Sequence, residues 1–373
     1  MHRDEVVSIS YPRRRLARGL LRGLGRVLVP LLTRTQTTGL GHFPAHGPLL
    51  VVGNHIAAME VVLMVVYAPW QMELLGPGDI APPPLMNAIA RLHGFIPVNR
   101  GNLDRRALNE ALDVLRQGGI LGIFPEGGIW DPGAMEAKRG VAWLSHHAGA
   151  PILPIGFAGL EGALARAFKL QRPPLTMNVG TLLPPVIVPP GIPRKAALQQ
   201  AAQDIMAAVE RLIPPDAHET RPDIVDERFE LTVLVHNGTG RAVDIPADYA
   251  IVHAEALCKI LYRPAILRIF AKDLHLPVAP LQHLDVAPAP SELAMALDAI
   301  LGYLSADNPG FFTYRFGPFE GHAMELGLRE LGALAHWAAG EELALTIHPV
   351  RRYRLAGEDT EHVETSPGSA HVW

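Results

Sequence analysis

Along the first half of the chain, short unbroken apolar runs alternate with longer stretches whose apolar residues recur at helical spacing. The runs 48–53, 94–98, 119–124, 151–157 and 175–182 read as strands. Between them, 56–68, 84–92, 103–117 and 138–148 read as helices. The clearest helix is 103–117: Asn102 can cap it, Asp104 sits in its first turn, and Gly118-Gly119 ends it. Strands alternating with helices predict an α/β fold, with a mostly parallel sheet flanked by helices. In such sheets ligands gather beyond the carboxyl ends of the strands.

Two further patterns flank this core. Residues 14–33 predict an amphipathic helix, with Arg18, Arg22 and Arg26 at four-residue spacing on one side and Leu16, Leu20, Leu24, Val27, Leu28 and Leu31 elsewhere. Gly19, Gly23 and Gly25 weaken it by roughly 1 kcal/mol each relative to alanine, and Pro30 kinks its end. On the other side, Pro184-Pro185, Pro189-Pro190 and Pro193 lead into a helix at 195–212, and Pro214 to Pro222 marks a domain boundary. Beyond it, 228–236 alternates like a strand and Asn237-Gly238 suggests a hairpin turn. Helical patterns follow at 248–271, 290–305 and 321–340, and 342–355 closes as a strand or pair. The expected organisation is a basic helix at 1–37, an α/β domain at 38–215, a smaller C-terminal α+β domain at 226–356 and a flexible tail at 357–373.

A length of 373 residues suits two domains, and an apolar content of 49% suffices for two cores. The net charge of −4 gives no reason to expect a nucleic-acid partner. Charge is unevenly placed, however: eight arginines and no lysine fall within the first 34 residues. A basic helix there can lie among lipid headgroups, its arginines drawn to an anionic membrane surface. The competing expectation is a solvated helix packed on the α/β domain. The single cysteine, Cys258, excludes an intramolecular disulfide framework and reads as a small buried hydrophobe. The best candidate for a membrane span, 57–70, falls short of the about 20 residues required and contains Glu60. Residues 1–34 do not read as a signal peptide, because arginines interrupt the apolar stretch.

The chemistry concentrates at Gly53-Asn54-His55-Ile56-Ala57-Ala58-Met59-Glu60, directly after the run Leu49-Leu50-Val51-Val52. Attack by a hydroxyl on an ester or thioester needs a proton acceptor within hydrogen-bond reach, which a histidine supplies. A carboxylate behind it fixes the imidazole tautomer and stabilises the imidazolium that forms. In one continuous helix, residues five apart point about 140° away from each other. His55 and Glu60 can meet only if His55 lies in the strand-to-helix turn and Glu60 in the first helical turns. Neither a phosphate-binding Walker motif nor G-x-G-x-x-G is present, and the remaining histidines lack metal-ligand spacing, so no metal site is expected.

Three more segments follow in order: Gly94-Phe95-Ile96-Pro97-Val98-Asn99-Arg100, Ile123-Phe124-Pro125-Glu126-Gly127-Gly128, and Ala150-Pro151-Ile152-Leu153-Pro154-Ile155-Gly156. With the His55 segment they resemble the four sequence blocks of the glycerolipid acyltransferases (PlsC-like), over about residues 38–190. Thr38 to Pro44 resembles that family's lead-in to the histidine strand, and Lys138 and Gly140 its K-x-G after the third block. The resemblance implies an O-acyltransferase that moves a fatty acyl group from acyl-coenzyme A or acyl-carrier protein, as co-substrate, to the hydroxyl of a lysophospholipid similar to lysophosphatidic acid. No bound cofactor is implied, and the enzyme would sit peripherally at the cytoplasmic face of a membrane. His55 would be the base and Glu60 its orienter, with Arg100 binding phosphate and Glu126, Gly127 and Gly128 contacting substrate. Glu126 would bond a glycerol hydroxyl or the backbone of its own turn, and the glycine amides would approach an oxyanion or phosphate.

Two departures from the family pattern stand out. Glu60 replaces the usual aspartate, and Gly128 and Ile129 replace the usual threonine and arginine. Isoleucine offers no planar fork to a phosphate, so acceptors other than lysophosphatidic acid, an amine among them, stay open. A lipid-binding or scaffolding protein of the same fold, its chemistry lost, is the alternative from another class.

Overall fold

The computed structural model describes residues 9–55, 57–77, 84–98, 104–126, 137–160, 162–215, 224–263, 266–267, 269–284 and 287–366. The chain divides into two compact units, one made of the described residues up to 215 and the other from 224 onward. The first unit begins with α1 (Arg15–Leu32), β1 (Arg34–Thr38), β2 (Leu49–Gly53), α2 (Met59–Tyr67), β3 (Glu73–Pro77), α3 (Pro84–His93) and β4 (Ile96–Val98). It continues with α4 (Arg105–Arg116), β5 (Ile120–Ile123), α5 (Gly140–Ala148), β6 (Ile152–Ala158), α6 (Ala163–Phe168), β7 (Pro174–Val179) and α7 (Arg194–Glu210).

Among the described residues, seven strands form one sheet in the order β1-β7-β6-β2-β5-β3-β4, parallel at every pair except β6 with β7. β2 lies at the centre and all five of its residues are buried. Leu50 and Val52 face one core, shared with Leu115 of α4, Leu144 of α5 and Ile205 of α7. Leu49 and Val51 face the other, shared with Val29 of α1 and Leu63 and Met64 of α2. A strand covered on both faces has no reason to alternate, which is why β2 reads as a continuous apolar run.

The α/β expectation holds, with three elements unforeseen. β1 (Arg-Thr-Gln-Thr-Thr) is an edge strand without an apolar residue, β3 opens on a buried glutamate and closes on Gly76-Pro77, and α6 has six residues. The helix expected from 56 begins at Met59, with Ala57 and Ala58 in a bend before it and Ile56 outside the described residues. Asp104, rather than Asn102, caps α4 by accepting from the amide of Ala107 at 2.9 Å, while Asn102 lies outside the described residues.

The N-terminal helix forms where expected and belongs to the first unit, but its polarity is reversed. The Arg18 guanidinium is buried, pairing with the equally buried Glu73 of β3 through two contacts of 2.7 Å. It also donates to the carbonyls of His93 at 2.9 Å and Gly94 at 3.2 Å, and Arg13 reaches Glu73 at 2.9 Å. Arg26 donates to the carbonyl of Val66 in α2, and burial lowers the Arg22 pKa beside Arg26. The outward residues are apolar: Leu16 is 90% exposed, Leu20 70%, Leu24 54%, Val27 65% and Leu31 63%. Arg18, expected to seek lipid headgroups, therefore anchors the helix to its own domain. A guanidinium bound bidentately by a buried carboxylate is unavailable to an external phosphate.

The second unit contains β8 (Ile224–His236), α8 (Ala254–Leu261), α9 (Pro290–Ala306), α10 (Pro318–Gly340), β9 (Ala344–Leu355) and β10 (Glu361–Glu364), with short helical turns between. The strands form an antiparallel sheet in the order β10-β9-β8. One face packs on a core that includes Leu257, Phe270, Leu297 and Leu328. The turn after β8 centres on Asn237, whose Oδ1 accepts from the amides of Thr239 and Arg241 and the hydroxyl of Thr239. The long helix expected at 248–271 is instead a 3-10 turn at Ala247–Tyr249, α8, and a π-turn at Ile269–Asp273. The stretch expected as a flexible tail from 357 contains β10, whose Glu364 pairs with Arg351 at 3.3 Å.

Candidate active site

β2 and β5 run parallel with Val52 opposite Ile123, so the segments leaving their carboxyl ends emerge side by side. One carries His55 and the other Phe124, Pro125 and Glu126. At the end of β2, Asn54 extends the sheet with its side chain. Its Nδ2 donates to the carbonyl of Phe157 at 3.0 Å, and its Oδ1 accepts from the Phe157 amide at 2.8 Å. This clamp on β6 fixes the departure of the chain one residue before His55.

The turn then brings Glu60 back under the histidine. Glu60 is the second residue of α2 and is fully buried. Its Oε1 accepts from the Ala57 amide at 2.7 Å and meets His55 Nδ1 at 2.6 Å. A carboxylate at Nδ1 selects the tautomer with the proton on Nδ1, leaving Nε2 as the acceptor. The His55 side chain retains 19% exposure, while the Glu60 side chain is fully buried. The strand-to-helix turn is the geometry that five-residue spacing demands.

Glu126 completes the cluster in a way the sequence did not suggest. Its Oε2 accepts the main-chain N–H of His55 at 3.1 Å, so it holds the backbone of the neighbouring segment. Burial pushes its carboxyl up from 4.5 to about 7, opposed by the hydrogen bond from His55 and by the His55 charge, and aided by Glu60 and Glu210. The amide of Lys138 donates to the carbonyl of Pro125 at 2.9 Å, and Gln199 of α7 donates to the carbonyl of Ala137 at 3.2 Å. The chain thus returns beside the Pro125-Glu126 turn at the K-x-G segment.

The structure brings together His55, Glu60 and Glu126. Arg100, Gly127, Gly128 and Ile129 lie outside the described residues. Two contributors escaped the sequence reading: Asn54, and Phe124, whose ring stacks on the His55 imidazole. Both stand within the quoted blocks. The available signal was an amide or an aromatic side chain one residue past a buried strand.

Comparison with known proteins bears on this region. Residues 34–158 match the family model described as Acyltransferase. A 1-acyl-sn-glycerol-3-phosphate acyltransferase from Borreliella burgdorferi is 31% identical over 121 residues, which is 32% of this chain and 48% of that protein. The chain thus spans about half the length of the curated relative it matches. A solved structure, the 1-acyl-sn-glycerophosphate (LPA) acyltransferase PlsC from Thermotoga maritima, is 19% identical, covering 53% of this chain and 80% of that chain with a TM-score of 0.41.

Proposed function

We propose that the protein is a glycerolipid O-acyltransferase that moves a fatty acyl group from a thioester of coenzyme A or acyl-carrier protein to a lysophospholipid hydroxyl, a reading supported by the match of residues 34–158 to the family model described as Acyltransferase. The observation that carries the reading is the fully buried Glu60 at 2.6 Å from His55 Nδ1, which leaves Nε2 as proton acceptor. The acceptor hydroxyl gives its proton to Nε2 as its oxygen attacks the thioester carbonyl. The tetrahedral intermediate then collapses, the carbon–sulfur bond breaks, and the imidazolium returns the proton to the departing thiolate. No acyl-enzyme forms, because the acceptor itself is the nucleophile. Arg100 and the amides of Gly127 and Gly128 are proposed to bind the acceptor phosphate and the oxyanion.

The same proposal places the protein peripherally at the cytoplasmic face of a membrane. Among the described residues no helix is long and apolar enough to cross one. The support is the outward stripe of Leu16, Leu20, Leu24, Val27 and Leu31 on α1, which would enter the acyl boundary of the leaflet. Exposed Phe168 ends α6 and exposed Leu170 lies just beyond it, and Arg172 donates to the carbonyls of Pro30 and Thr33, which ties that segment to the end of α1.

The test is release of thiol from acyl-coenzyme A, and from acyl-carrier protein, by purified protein offered a panel of lysophospholipids. Acceptor-dependent release is expected with at least one donor. Absence of release from either donor with every acceptor overturns the reading in favour of a lipid-binding protein.

A further inference from the structure

Phe124 stands one residue beyond β5, and its ring lies face to face with the His55 imidazole, centroids 4.5 Å apart and planes inclined by 18°. The approach depends on Gly53. A Cβ there would come within 2.7 Å of the Phe157 ring and 3.3 Å of the Phe124 ring, so glycine lets both rings close over the end of β2. His55 is thereby held from three directions. Glu60 takes its Nδ1 edge, Glu126 takes the main-chain amide of His55, and Phe124 covers one ring face.

The stack has an electrostatic sense as well as a steric one. The face of a phenyl ring is its negative side, and it attracts a cation more than a neutral ring. In the proposed mechanism the imidazole gains positive charge by taking the hydroxyl proton, so the contact strengthens on the way to the transition state, the kind of interaction that raises turnover. We propose that Phe124 is a positioning residue that fixes the imidazole plane and stabilises the imidazolium formed at His55. This rests on the reading of His55 as the base.

The test replaces Phe124 with phenylalanine analogues carrying one, two and three ring fluorines, which keep the shape while weakening the negative face. Turnover should fall stepwise, by about two- to fivefold at the trifluoro ring, with KM for both substrates unchanged. Phe124→Tyr should retain near-parental turnover, while Phe124→Leu should lose more than any fluorinated ring. Turnover flat across the series overturns the electrostatic role, and a rise in KM at constant turnover reassigns the ring to substrate packing. Should Phe124→Leu fail to fold, the fluorinated series still decides. A readout free of catalysis is the proton spectrum of His55, whose ring protons should lie upfield in the parent and move downfield in Phe124→Leu. No upfield displacement overturns the stack itself. A displaced resonance in a protein that transfers no acyl group overturns the function reading, and with it the effect on rate, while leaving the contact standing.

Discussion

Replacing Arg18 with methionine removes the guanidinium from α1 while keeping most of its apolar stem. The parent side chain is 1% exposed and makes two 2.7 Å contacts with Glu73, itself fully buried, and two more with the carbonyls of His93 and Gly94. Without it, Glu73 keeps Arg13 at 2.9 Å as its one cationic partner among the described residues, a side chain 28% exposed, and the two carbonyls lose a donor. Breaking a buried pair from one side costs about 3–5 kcal/mol, because the remaining charge stays desolvated. For a unit of this size that lowers the melting temperature by about 10 °C. Calorimetry of the full chain should register the shift in Arg18→Met. The double variant Arg18→Met with Glu73→Leu should recover most of it, since an apolar replacement of both partners is close to neutral. A single variant within about 1 kcal/mol of the parent would refute the claim that this pair anchors α1.

Three other expectations follow from the same contacts. Burial raises the folded Glu126 carboxyl from 4.5 to about 7, so the stabilisation from its bound proton is full below 4.5 and lost as pH rises to about 7. Glu126→Gln should flatten that decline by about 1–3 kcal/mol in urea titrations at pH 4.5 and 8, and an unchanged slope contradicts the burial argument. Asn54→Ala strips partners from both main-chain groups of Phe157 and should cost about 2–4 kcal/mol; a loss below about 1 kcal/mol counts against the clamp. If α1 meets lipid through its leucines, sedimentation with neutral phosphatidylcholine vesicles should persist at about 0.5 M salt and vanish in Leu20→Ser with Leu24→Ser. Binding that requires anionic lipid and disappears with salt would return the arginines to that role.

Much of the first unit was legible because its central strands are buried on both faces and so announce themselves as unbroken apolar runs. β1 and β3 stayed hidden for the opposite reason. An edge strand of threonines needs no apolar side, and the carboxylate at the head of β3 is hidden only because an arginine 55 residues earlier neutralises it. The same pairing misled the reading of α1. Four-residue spacing locates the arginine stripe, yet nothing local says whether it faces solvent or a buried glutamate. At the site, helix geometry set the condition under which His55 could meet Glu60, and the structure fulfils it. The placement of Glu126 on the amide of His55 depends on two parallel strands ending side by side, a long-range fact no local pattern carries. In the second unit, the pattern over 248–271 kept helical spacing across Arg263-Pro264, where a proline bars continuation, and the observed α8 ends at Leu261.

In the proposed mechanism His55, oriented by buried Glu60, takes the proton of an acceptor hydroxyl during acyl transfer. That step is tested most directly by acceptor-dependent thiol release under saturating substrates, comparing the parent with His55→Ala, whose folding is checked by calorimetry. Turnover lower by about two to four orders of magnitude is expected in a variant that remains folded. A folded His55→Ala protein that transfers acyl groups at near-parental turnover would contradict it.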